Sequence, residues 1–181
     1  LAHEHVQNPA KFWQLFQETQ HAFLGSAEGN FYRPLVSASF MLDFWLTRGV
    51  PAEGTFGMEA SEGLDPLFFH AQSIAWHAVA AVGLLVLLAS VGAPRWVQAA
   101  VPTLWAIHPV HTEAVAYISG RADSMAAAFI FWGLAAAMLR GAPSRLATGA
   151  VLTALCTVGA VLSKESGAML PIVLLMMVAV G

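Results

Sequence analysis

The sequence predicts an all-α, polytopic membrane bundle, and three observations predict it. Of the 181 residues, 57% are hydrophobic and only 10% charged, against about 25% charged in an ordinary soluble domain. Mean hydropathy is +0.65. The apolar residues also fall in runs long enough to form membrane helices, broken by short polar or Gly/Pro segments.

Residues 1–66 are the polar part, expected as an external loop carrying amphipathic and juxtamembrane helices. Asn8-Pro9, Gly25-Ser26 and Glu28-Gly29-Asn30 are its turn signals. Between them Phe12, Leu15, Phe16 and Thr19 recur at helical spacing, which predicts a short amphipathic helix on the membrane surface. Residues 35–47 are apolar enough to be helical but short, and they carry Asp43, so a juxtamembrane or re-entrant helix is expected. Gly49 to Pro66 reads as a loop.

Residues 67–181 are expected to hold about five spans, the last truncated. Leu67–Val91 is long enough to cross, since about 20 apolar residues at 1.5 Å rise traverse the hydrocarbon. Trp96–Ile107 contains Pro102 and needs continuation through His111 to cross, with its last turns in a polar pocket. Ser124–Leu139 and Leu146–Leu162 are rich in Ala and Gly, as closely packed membrane helices tend to be. Gly167–Val180 begins a fifth. Leu1 is not a start methionine and the chain stops within an apolar run, so a fragment truncated at both ends is expected, with no cleavable leader visible in residues 1–30.

Threading these spans alternately through a bilayer sorts the charges. Loops 92–95 and 140–145 carry Arg95, Arg140 and Arg145 with no carboxylate, while all 11 Asp and Glu residues fall on the other face. By the positive-inside rule the arginine-only face is cytoplasmic, and the polar clusters face outward. A net charge of −3 and the lack of a Lys/Arg run exclude nucleic acid as a partner. The single cysteine, Cys156, lies in an apolar run and reads as a small core hydrophobe.

The most informative stretch is His108–Asp123, HPVHTEAVAYISGRAD, which puts histidines, carboxylates and an arginine between apolar segments. Charges cost roughly 2.5–3.5 kcal/mol each at the centre of a membrane helix, so such a cluster belongs at an interface or in a polar cavity. The topology gathers it on one face with Tyr32-Arg33-Pro34-Leu35, the pair His70 and His77, and Lys164-Glu165. His70 and His77 are two turns apart, about 10.5 Å along one helical stripe. Plainer readings stand beside this one. The ionisable residues can be ion pairs that cap helix ends, Tyr32-Arg33 an interfacial anchor, and the six Trp a membrane belt. His108, His111 and Glu113 also have spacing that suits zinc.

These motifs resemble the transmembrane and tetratricopeptide-repeat-containing O-mannosyltransferases and their bacterial relatives, in the order YRPL, His-x6-His, HPVHTEAV with GRAD, and Ser-Lys-Glu-Ser-Gly. The resemblance implies a glycosyltransferase of the GT-C class that takes a hexose, mannose in the family, from a polyprenyl-phosphate carrier outside the cytoplasm and passes it to a hydroxyl such as a protein Ser or Thr. For so alanine-rich a chain it implies undecaprenyl phosphate as carrier and a bacterial inner membrane, with the site facing the periplasm. The sequence departs from the family twice. The acidic pair ahead of Asn-Pro has only Glu4 nearby, and Ser73 replaces the asparagine often found between the two histidines.

Such a transfer needs a carboxylate to take the acceptor's proton and donors to hold the phosphate as it gains charge. Glu113 and Asp123 are the candidate catalytic acids, either of which can instead partner Arg121 or Lys164. Tyr32, Arg33, His70, His77, His108, His111, Arg121, Lys164 and Glu165 are the candidate substrate-binding residues. The lipid-linked sugar is substrate rather than cofactor, and no metal is called for. Membrane lipid and a protein acceptor are the expected partners. The alternatives are a transporter or channel, whose polar groups would sit near the midplane, and a non-catalytic membrane scaffold.

Overall fold

In a computed structural model the described residues are 12–13, 16, 32–47, 66–117, 120–139 and 141–180. They are helical, with no strand among them: α1 Pro34–Thr47, α2 Pro66–Ser90, α3 Arg95–Ile107, α4 Thr112–Ala116, α5 Arg121–Ala137, α6 Pro143–Ser163 and α7 Met169–Val180. Short 3-10 turns, Pro109–His111 and Glu165–Ala168, precede α4 and α7. The expected amphipathic helix rests partly on Leu15 and Thr19, and the loop from Gly49 almost wholly on residues outside the described set.

The helix boundaries follow local chemistry. Pro34, Pro66 and Pro143 open their helices where a missing N–H costs nothing. Gly92 closes α2 with φ of 75°, a left-handed conformation that glycine adopts freely. Around it Gly92 N–H donates to Ala89 and Ala93 N–H to Leu88, a Schellman closure of the helix end. The continuation of α3 through His111 does not occur. Residues before a proline are pushed out of the helical region, and His108, ahead of Pro109, is extended at φ −67° and ψ 131°.

Among the described residues two helices are long and apolar enough to cross a membrane, Leu67–Ser90 and Pro143–Ser163. Only 22% of the apolar stretch of each is buried, so they do not resemble the hidden core helix of a soluble protein. Leu85, Leu152, Leu155 and Val158 are among the exposed side chains, and surface of that kind suits lipid. The other helices are shorter, with 13 residues in α3, 17 in α5 and 12 in α7.

The chain divides into two units, residues 1–72 and 73–181. In the first, Val36, Phe40, Phe44 and Phe69 are buried, and the rings of Phe40 and Phe69 lie 6.3 Å apart. In the second, α5 and α6 form the main packed pair. Apart from Arg121 and Met125 their buried residues are small, among them Ala122, Ala126, Ala128, Ala135 and Ala136 on α5 and Gly149, Gly159 and Ala160 on α6. Small side chains let the backbones approach, and Thr153 Oγ1 donates across to the Gly133 carbonyl at 3.2 Å. Trp132 Nε1 ties α5 to α2 through the Val79 carbonyl at 3.0 Å.

Candidate functional site

Within residues 73–181, a cavity of about 520 Å³ opens among α2, α3, α4, α5 and the turn after α6. Its lining is mixed, with His111, Glu113, Asp123, Ser124, Lys164 and Ser166 among the polar residues and Trp105, Val110, Ile130 and Phe131 among the apolar ones. Both the volume and the mixed lining fit small-molecule sites, which run to about 300–1,000 Å³.

Helix ends supply the charges. Asp123 sits in the first turn of α5, where the helix dipole favours an anion, and Lys164 caps the C-terminus of α6, where it favours a cation. Lys164 Nζ donates to Asp123 Oδ1, closing an ion pair. Of the two partners left open by the sequence, Lys164 is therefore the one that Asp123 takes. Glu113 is exposed on α4 in the cavity wall. Gly120 holds α4 against the start of α5, since a Cβ there would strike the Glu113 carbonyl and come within 2.9 Å of Ala114 Cα.

Two imidazoles and an indole line the cavity, with a third imidazole, His108, on the cavity beside it. His77 Nε2 pairs with the Ala106 carbonyl at 3.0 Å, so that nitrogen carries the proton and Nδ1 is left as an acceptor. Nδ1 is buried and without a hydrogen-bond partner among the described residues. The His77 ring stacks on Trp105 at 4.7 Å and 16°. His111 lies 4.4 Å from Trp105 and 5.2 Å from His77. Burial holds the His111 pKa below the usual imidazole value, helped by His77 and His108 and opposed by Asp123. His108 is a cap: its Nδ1 accepts from Val110 N–H at 3.2 Å. A second cavity of about 310 Å³ lies against His77, His108 and His111 beside Ile107, Val115 and Ala116.

The structure thus brings His77, His111, Glu113, Asp123 and Lys164 to one cavity, with His108 on its neighbour. Arg121 is not in the wall of either cavity. Its side chain is fully buried and its Nε donates to Ser73 Oγ at 3.3 Å. That bond gives a place to the serine that departs from the family pattern. Tyr32, Arg33 and His70 lie in the unit of residues 1–72: Tyr32 Oη donates to the Phe16 carbonyl at 2.9 Å, Arg33 precedes α1, and His70 is half-buried on α2. Glu165 is exposed in the turn after α6. Among the described residues no three His, Cys, Asp or Glu side chains group closely enough to hold a metal ion.

Trp105, Ser124 and Ser166 are cavity residues that the sequence did not single out. Trp105 stands three residues before His108, an i, i+3 spacing that was its available signal.

Comparison with known proteins points the same way. Protein O-mannosyl-transferase TMTC1 of Mus musculus is 36% identical over 96 residues, covering 52% of this chain and 9% of the relative. Protein O-mannosyl-transferase TMTC2 of Mus musculus is 34% identical over 142 residues, covering 75% of this chain and 15% of the relative. The tmtc2 protein of Xenopus laevis is 39% identical over 94 residues, covering 51% and 9%. The chain is similar to the protein O-mannosyl-transferases. It spans only 9% to 15% of the length of these relatives. No family model and no solved structure matches it.

Proposed function

We propose that this chain is part of a membrane glycosyltransferase of GT-C type, moving a hexose, mannose by analogy with the relatives, from a polyprenyl-phosphate carrier to a hydroxyl such as that of a protein Ser or Thr. In this reading α2 and α6 cross a bacterial inner membrane, and the cavity faces the periplasm.

The observation that carries the reading is the Lys164–Asp123 pair at the wall of a cavity that also holds His111 and Glu113. A departing phosphate gains charge, and a cation positioned beforehand stabilises that gain. Lys164 is the point charge available, with His111 as a neutral hydrogen-bond donor beside it. Glu113, exposed in the same wall, takes the proton as the acceptor oxygen bonds to the anomeric carbon and the carbon–oxygen bond to phosphate breaks with both electrons leaving on phosphate. Arg121 acts from behind as a buried support. The charged groups sit at helix ends, which supports transfer at a membrane face over a midplane transport site.

The test is transfer of radiolabelled hexose from its polyprenyl phosphate to a Ser/Thr peptide by the protein in proteoliposomes. Glu113→Gln is expected to lower the rate by about 100-fold or more, the scale of a general base. Absence of any transfer by the unaltered protein, with each hexose donor tried, overturns the reading.

A further inference from the structure

We propose that Trp105 is the surface on which the transferred hexose lies and that His77 is a positioning residue which holds the indole in place. This rests on the glycosyl-transfer reading and names how its site recognises the sugar.

The cavity lining is chemically mixed, and so is the surface of a hexose. Its hydroxyls need hydrogen-bond partners around the rim of the ring, while its C–H faces are apolar and slightly positive. Glu113, Asp123, Ser124 and Lys164 supply donors and acceptors in that lining. Trp105 is its largest aromatic side chain, and the negative face of an indole attracts a positive C–H surface.

Trp105 is held for that role. The stacked His77 covers one face of the indole at 4.7 Å, and Phe131 meets it edge-on at 5.6 Å and 79°. The ring-centre distances among Trp105, His77 and His111 are 4.7, 4.4 and 5.2 Å. That near-equilateral triangle puts the two imidazoles on adjacent sides of the indole, not on opposite faces. The face away from His77 is covered by neither histidine. His77 is itself fixed by its bond to the Ala106 carbonyl, the residue next to Trp105. An imidazole so enclosed, only 9% exposed, is well placed to brace its neighbour.

The experiment compares Trp105→Phe, which keeps an aromatic face, with Trp105→Leu, which keeps apolar bulk without one. Donor KM in proteoliposomes is expected to rise about tenfold in the leucine variant and to stay within about threefold in the phenylalanine variant, with kcat little changed. Saturation-transfer NMR with methyl mannoside and methyl glucoside on the protein in nanodiscs gives a readout independent of catalysis. Signal on the sugar C–H protons is expected for the unaltered protein and lost in Trp105→Leu. Sugar binding through Trp105 without transfer keeps the sugar surface and removes the transferase reading. Transfer with equal KM and equal NMR signal in Trp105→Leu overturns the sugar surface alone. For His77, the double variant His77→Ala with Trp105→Leu is expected to be no worse in KM than Trp105→Leu, as coupled residues are non-additive. Additive effects remove His77 from that role.

Discussion

Lys164 and Asp123, 41 residues apart in sequence, form an ion pair that joins the C-terminus of α6 to the N-terminus of α5. The pair is partly exposed, with side-chain exposures of 27% and 51%, and exposed pairs contribute only about 0–1 kcal/mol to stability. A position kept for folding alone would be an ineffective use of two charges at a cavity wall.

Lys164→Met is therefore expected to shift thermal stability by no more than about 1 kcal/mol, yet to abolish hexose transfer. Lys164→Arg keeps the cation and is expected to retain part of the rate. Melting curves and transfer assays on the same preparations check both. Equal transfer by Lys164→Met and the unaltered protein removes Lys164 from phosphate binding.

Arg121 behaves in the opposite way. It is wholly buried with Ser73 as a partner, and breaking a buried charged interaction costs about 3–5 kcal/mol when one side is left uncompensated. Ser73→Ala is expected to destabilise the protein by about 1–3 kcal/mol, and its melting temperature reads this directly. A melting temperature equal to that of the unaltered protein sinks the assignment.

The pH dependence follows from His111. Its pKa is lowered in the folded protein, first by burial and then by His77 and His108, so the unfolded chain binds the proton more readily. Above about 6.5, the ordinary imidazole value, both states are neutral and His111 contributes nothing to the pH slope. As pH falls below that value the unfolded state gains, so stability is lost on acidification. Melting temperature against pH is expected to fall on the acid side, and less steeply in His111→Gln. An unchanged slope in that variant contradicts the burial of His111.

Gly120→Ala tests how α4 is held. Its Cβ would meet backbone atoms of Glu113 and Ala114, which cannot move aside as a flexible side chain does, and overpacking of this kind costs about 1–3 kcal/mol. The variant is expected to melt lower and to lose transfer because Glu113 is displaced. Normal melting with normal transfer indicates that α4 packs differently.

Much of the helical plan was legible along the chain. The apolar runs at 67–91 and 146–162 coincide with the two long helices, whose starts at Pro66 and Pro143 the apolar pattern alone did not mark. The HPVHTEAV and GRAD stretches stood out because charges between apolar segments have few other places to go, and the structure puts their His111, Glu113 and Asp123 at one cavity while Arg121 lies outside its wall. The extended span through His111 was misread, since the effect of Pro109 on its predecessor outweighed apolar continuity. Trp105 was passed over because an aromatic near the end of an apolar run looks the same whether it meets lipid or a cavity.

By itself the sequence determined that this protein is helical, apolar and furnished with a polar cluster near its helix ends, because hydropathy and turn chemistry act over a few neighbouring residues. Only the tertiary structure decided that Asp123 takes Lys164, that Arg121 withdraws to Ser73, and that His77 lies against Trp105. Those pairings join residues far apart in the chain: the close approach that small residues allow between α5 and α6 brings Asp123 to Lys164, and the packing of α2 against α5 and α3 makes the other two.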